Sequence, residues 1–495
     1  MTESRQSGRA LVIAAVMASM AMIAIEMTIV STAMPQIATQ LGGLNLYSWV
    51  FSSFLLAQTA MTVVFGKLAD LFGRKPVMLV GIAVFLAGSL LAGFAWSMPA
   101  MIVFRLVQGI GAGAIQPVGM TIVGDLYPAH ERGKVQGYLA SVWAISAVVG
   151  PVVGGLIIRD LSWAWIFWMN IPIGLLAAAG YIAFLHEAPR NQRPSIDVIG
   201  AGLFTIAMAA LMIALTDAGT SATEHALYAC AVCVVAAVLF VLQERRAPEP
   251  MISFELWARR PIAATNASTL LTGMVLMGAT TFLPIYVQGV LQRSPVVAGM
   301  ALTMMMFGWP VGATISARLF RRFNLRAILV VGSVFIPLGG VVFALMNIDA
   351  SPLLPGLGSL VMGFGMGLAA TSALVLIQEI VEAGQRGSAT ASNLFSRNLG
   401  STLGATLFGA VFNYGLAHAK GLGAVSTEQL RGALDASSGK LGVSGDMAVR
   451  LALQQSLHLT FVMLLVVAVA VLLLAMLVPA VRIRHAHEVT TPVAH

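Results

Sequence analysis

Residues 66 to 76 read Gly66-Lys67-Leu68-Ala69-Asp70-Leu71-Phe72-Gly73-Arg74-Lys75-Pro76, which places four charges and two glycines in one short segment. Apolar runs flank it, one over 46 to 66 and the next over 76 to 95. Each is near the length of about 20 residues that crosses roughly 30 Å of hydrocarbon. Charge confined to a short connection between two such runs predicts a pair of membrane helices joined by a loop.

The same alternation continues along the chain. Of 495 residues, 58% are hydrophobic and 10% charged, whereas a soluble domain carries about 25% charged residues. Fourteen apolar runs can be counted, the first over 10 to 34 and the last over 453 to 480. With cytoplasmic termini, the outside segments hold only Arg159, Arg293, Lys420, Arg431, Lys440 and Arg450 of the 28 basic residues. Four of these lie in the connection from 416 to 452, and long loops cross membranes with little regard to charge. An even number of spans with both termini cytoplasmic is therefore expected. The formal net charge of +8 is then an orientation signal, and no basic soluble surface is left for nucleic acid. The first run contains Glu26 and lacks a small-residue cleavage site, so a retained span is expected rather than a signal peptide. Cys230 and Cys233 form a C-x-x-C inside the eighth run, where thiolates are disfavoured, so neither redox nor metal use is expected of them.

A second copy of the opening segment lies 251 residues on. Residues 64 to 81 set against 315 to 332 pair Lys67 with Arg318, Leu68 with Leu319, Phe72 with Phe323, Lys75 with Arg326 and Gly81 with Gly332. Asp70 faces Arg321 and Gly73 faces Asn324, so the acid belongs to the first copy alone. Both copies follow the second span of a six-span block, which divides the chain into duplicated halves. The expected domains are a six-helix bundle over 1–187, two inserted transmembrane helices over 188–243, a cytoplasmic linker over 244–261 and a second six-helix bundle over 262–495.

Glu26 is the one carboxylate well inside an apolar run. A charge at mid-bilayer costs about 2.5 to 3.5 kcal/mol, so its presence needs a compensating reason. Desolvation favours its neutral form, which makes it the leading proton-carrier candidate. Arg105 sits several residues inside the fourth run. Arginine does not deprotonate, so it could act only through its charge on a nearby acid or water.

The pattern Gly66, Asp70, Gly73-Arg74-Lys75 resembles the signature between spans 2 and 3 of the major facilitator superfamily of membrane transporters. That resemblance implies an all-α polytopic fold of two six-helix bundles. It also implies a latch in which Asp70 meets an opposing helix N-terminus, whose partial charge attracts a carboxylate by about 0.3 to 1 kcal/mol. The stretch Ile25-Glu26-Met27-Thr28-Ile29-Val30 ending at Pro35 is similar to the span 1 motif of drug:proton antiporters with fourteen spans, with glutamate where aspartate is usual. Arg105-Leu106-Val107-Gln108-Gly109 resembles the span 4 motif, whose arginine is assigned to proton transfer. Gly150-Pro151 and Gly154-Gly155 resemble the antiporter motif of the exporting branch, with Ser146 at a position where glycine is usual. Trp163 to Pro172 and Gly387 to Gly400 also resemble that branch, and Ala164 replaces its usual arginine.

The resemblance implies proton-coupled antiport, exporting small apolar or cationic compounds by alternating access from a bacterial inner membrane. Trp49, Phe54, Gln58, Gln116, Trp143, Phe282, Tyr286, Trp309 and Asn398 are the candidates for the substrate cavity. No phosphate-binding loop, metal-ligand cluster or activated nucleophile is found, so an enzyme, a metal site and a cofactor are all disfavoured. Expected partners are protons, a small-molecule substrate and the lipid bilayer, with the chain acting as a monomer. Three rival readings stay open: proton-coupled uptake, a non-transporting membrane sensor, and export through a multi-protein conduit that would need an envelope adaptor protein.

Overall fold

The computed structural model describes residues 2–41, 47–187, 197–217, 223–247, 254–293, 295–320, 322–418 and 447–479. Sixteen α-helices occur among the described residues. The first seven are α1 (Thr2–Leu41), α2 (Tyr47–Phe72), α3 (Arg74–Gly93), α4 (Met98–Leu126), α5 (Ala129–Asp160), α6 (Ala164–Trp168) and α7 (Asn170–Phe184). A pair follows, α8 (Val198–Asp217) and α9 (Thr223–Glu244), and then the short α10 (Phe254–Ala258). The remainder are α11 (Arg260–Ile285), α12 (Pro295–Leu319), α13 (Leu325–Ala344), α14 (Leu353–Glu379), α15 (Arg386–Ala417) and α16 (Met447–Leu477).

Eleven helical segments among the described residues are long and apolar enough to cross a membrane. Helices α5, α8 and α15 stand outside that number. In α15 serine, threonine, glycine and Arg397 dilute the apolar run, and in α8 the described apolar stretch is only Val198–Leu211. The expected sixth span is two helices, α6 and α7, joined through Met169. Helix α11 carries Pro284 near its end and passes into a π-turn over Tyr286–Val290.

The segment 66–76 is not a loop. Helix α2 continues through Asp70 to Phe72, and α3 begins at Arg74, so Gly73 alone breaks the path. Its φ of +96° lies where a side chain is strained. Lysine, arginine, leucine and alanine are good helix formers, and Pro76 falls in the first turn of α3, where its missing N–H leaves no bond unmade. The Glu187 carboxylate caps that turn, accepting from Arg74 N at 2.8 Å and Lys75 N at 3.1 Å.

Two faces of the repeat are visible in the packing. Gly81 lets α3 approach Gly111 and Ala114 of α4, and its counterpart Gly332 lets α13 approach Gly365 and Ala369 of α14. Lys75 Nζ donates to the Ile182 carbonyl near the end of α7 at 2.8 Å. Arg326 Nη2 donates to the Met476 carbonyl near the end of α16, also at 2.8 Å. Each half thus ties its third helix to its last one through a basic residue at a helix C-terminus, where a cation is favoured. Arg321 lies outside the described residues.

The apolar cores follow the halves. One cluster joins α11 to α16 around Phe343, Phe408 and Phe461. A second joins α1, α3, α4 and α7 around Met20, Phe85 and Tyr181, and it takes in Leu374 of α14 and Leu394 of α15. A third holds the opposite end of the first half and contains no residue of the second. Helices α2 and α15 pack together, as do α5 and α12. The α8–α9 pair lies beside α2 and α15, where Phe204 and Phe240 meet Phe395 and Val63.

Candidate functional site

Two sites emerge, one inside the first half and one across the seam. In the first, Glu26 comes from the middle of α1 and Arg105 from the N-terminal part of α4. Their side chains are 0% and 1% exposed and form an ion pair with Arg105 Nη1 at 2.6 Å from Glu26 Oε1. Asn170, at the start of α7, donates to Glu26 Oε2 at 2.5 Å and to Ser89 Oγ at 2.9 Å. Gln108 accepts from Arg105 Nη1 at 2.7 Å and donates to Ser89 Oγ at 3.2 Å. Arg105 Nε donates to the Val50 carbonyl at 3.3 Å, and its guanidinium lies over the Phe54 ring at 4.4 Å from the centroid.

Five helices therefore converge on one carboxylate and its cation. A buried ion pair persists only where further hydrogen bonds complete it, and Asn170, Gln108 and the Val50 carbonyl supply them. A proton on Glu26 would remove the attraction to Arg105 and convert one acceptor oxygen into a donor. The network then has to rearrange. Sequence reading found Glu26 and Arg105, but not Asn170, Gln108 or Ser89. Asn170 had a detectable signal as the one amide in the apolar stretch 164 to 185, whereas Ser89 had none.

The second site surrounds Asp70. The start of α15 donates to it, Gly387 N to Oδ1 at 2.9 Å and Ser388 N to Oδ2 at 2.7 Å, with Ser388 Oγ adding 2.8 Å. Arg74 Nη2 lies 3.1 Å from Asp70 Oδ1. Arg74 also reaches Asp125 at 3.0 Å and donates to the Ala383 carbonyl at 2.7 Å. Asp125 accepts from Arg386 at 3.1 Å, and Arg132 pairs with Glu379 at 2.7 Å. Close backbone approach underlies these bonds: a Cβ on Gly66 would collide with Ala391, and one on Gly133 with Ala317. The Arg74 pairs with Asp70 and Asp125 lie within the first half; the other contacts join the two halves at the end where the basic residues gather. Asp125, Arg132, Glu379 and Arg386 were not singled out from the sequence.

The remaining candidates scatter. Gly150 lets Thr28 of α1 approach α5, and Thr28 Oγ1 donates to the Ser146 carbonyl at 3.1 Å. Gly154 is buried, while Pro151 and Gly155 lie outside the residues whose side chains are described. Phe282 is packed with Phe412, and Tyr286 donates to the Asn347 carbonyl at 2.6 Å, so both belong to the core of the second half. Trp309 packs against that core. Gln58 and Gln116 are buried, and Trp49, Trp143 and Asn398 are half-buried. Cys230 and Cys233 are free thiols on α9.

Multidrug resistance protein 3 of Bacillus subtilis (strain 168) is 33% identical over 413 residues, which cover 83% of this chain and 81% of that protein. The multidrug transporter protein MdtP of the same organism is 31% identical, covering 83% and 76%. Among solved structures, the human organic anion transporter MFSD10 superposes with a TM-score of 0.64 at 15% identity, covering 93% of this chain and 99% of that one. The proton:xylose symporter XylE superposes with the same TM-score at 13% identity, covering 96% and 97%. These two establish a shared fold alone. The family profile described as Major Facilitator Superfamily matches residues 16–405, and the chain belongs to that superfamily of membrane transporters.

Proposed function

We propose that this protein is a proton-coupled antiporter that exports a range of small compounds by alternating access. The observation that carries the reading is the Glu26–Arg105 pair, wholly buried and bonded across α1, α3, α4 and α7. A proton arriving from outside neutralises Glu26 and frees Arg105, and the helices that share the network shift. Release of the proton to the cytoplasm restores the pair and resets the carrier. A membrane potential adds about 2.3 kcal/mol per charge per 100 mV to the driving force. Multidrug export draws on the names of the Bacillus subtilis relatives.

In this reading α5, α8 and α15 also span the membrane, which brings the spans to fourteen. The two bundles lie over 1–187 and 262–495, with α8 and α9 inserted between them and a cytoplasmic linker over 244–261. Both termini are cytoplasmic, the membrane is a bacterial inner membrane, and the chain works as a monomer without an adaptor. In the same reading the Asp70 cluster is the cytoplasmic latch, and the conformation is one with its cytoplasmic side closed. The test is dye transport in proteoliposomes under an imposed pH gradient, comparing the parent with Glu26→Gln. Gradient-driven flux should fall by at least about tenfold, while exchange down the dye's own gradient persists. Undiminished gradient-driven flux in the variant removes Glu26 from the mechanism.

A further inference from the structure

Arg397 is a second intramembrane cation, and nothing described so far accounts for it. It lies eleven residues into α15, about 16 Å from the helix start at 1.5 Å per residue. That depth is beyond the reach of its side chain to the water at the basic end. Its side chain is half-buried and makes no hydrogen bond or ion pair among the described residues. Among the described residues no carboxylate pairs with it. Glu26 is the only carboxylate well inside an apolar run, and Arg105 already holds it. Asp70, Asp125 and Glu379 are occupied at the basic end by Gly387 and Ser388, by Arg74 and Arg386, and by Arg132.

The direction of the side chain follows from its neighbours on the helix. Asn393, one turn earlier, donates to Asn266 and Thr269 of α11, and Gly400 abuts Leu270 of the same helix. On the other flank Leu394 enters the apolar core of the first half, and Thr390 accepts from Gln378 of α14. A period of 3.6 residues puts Arg397 between these two faces, turned toward the seam between the halves. There an unpaired charge is costly unless something offsets it.

We infer that Arg397 is an anion subsite of the transport cavity, which receives a carboxylate or sulfonate group of the substrate. A guanidinium presents a planar fork of donors that fits two oxygens of such a group, and the low polarity around it strengthens the bond. The inference rests on the transport reading and narrows it. Compounds carrying an acidic arm are the preferred cargo, in addition to the apolar or cationic ones that the sequence pattern implied.

The experiment uses the full chain in proteoliposomes and two dyes on one xanthene scaffold, the carboxylate fluorescein and the cationic ester rhodamine 6G. For each dye KM is measured in the parent, Arg397→Gln and Arg397→Lys, with thermal unfolding in detergent as the check on folding. The ratio of the fluorescein KM to the rhodamine KM should rise about tenfold in Arg397→Gln, the loss of one charge-assisted bond. In Arg397→Lys, which keeps a point charge, it should rise by no more than about threefold. An unchanged ratio in Arg397→Gln overturns the inference, because a merely structural arginine would weaken both dyes alike. A parent that moves rhodamine but not fluorescein overturns it as well and leaves export standing. A parent that moves neither dye defeats the transport reading and this inference together.

Discussion

Glu26 and Arg105 hold each other across 79 positions of sequence. Taking away one member of a buried pair strands the other, at about 3 to 5 kcal/mol. Arg105→Leu should therefore lower the unfolding midpoint in detergent sharply. Glu26→Gln combined with Arg105→Leu should be milder than the sum of the two single changes. Simple additivity would mean that the two side chains do not share their energy. Asn170→Ala removes a donor from Glu26 and from Ser89, and it should reduce gradient-driven flux more than it reduces stability. The two charged residues were legible because each stands alone in an apolar run. Their mutual bond was not, because nothing local in the chain says which face of α1 meets which face of α4. Ser89 stayed hidden for a simpler reason: hydroxyls are too common within spans to mark a site.

Among the helices, α2 and α15 meet most closely where Gly66 and Gly387 leave room. Gly66→Val would force them apart, since overpacking at a tight contact costs about 1 to 3 kcal/mol. Spin labels at Phe72 and Gly384, on the two sides of the seam, would report the change. Their separation should lengthen in Gly66→Val and in Asp70→Asn, and an unchanged distribution in both would mean that this contact does not govern the conformation. The sequence announced that Asp70 would seek a helix N-terminus. It did not say that the helix would be α15, because that depends on how the halves face each other. The segment 66–76 was misread as a loop for the opposite reason. Charge marks a membrane boundary, but it does not end a helix, and only Gly73 does so here.

The molecule as a whole divides into two half-cores, with α8 and α9 outside both. Neither the clusters of the first half nor that of the second contains a residue from this pair. Excising 197–247 with a short replacement linker should leave a chain that elutes as one sharp peak in detergent and still unfolds cooperatively. Broad elution would show that the pair is needed to hold the halves in register. The two-fold repeat was visible in a weak sequence match. Its physical content, a basic residue of the third helix bonded to the last helix of each half, needed coordinates. The cluster around Asp70 has one consequence beyond conformation. Two backbone amides and one hydroxyl on Asp70, with the Arg132–Glu379 and Arg386–Asp125 ion pairs, cross the seam so close together that they cannot open one at a time, and the seam must let go in a single concerted event. An empty carrier that crossed this barrier freely with a proton aboard would short-circuit the gradient it runs on. Such a seal keeps slippage low, and liposomes carrying Asp70→Asn should leak protons faster than those carrying the parent when no cargo is present.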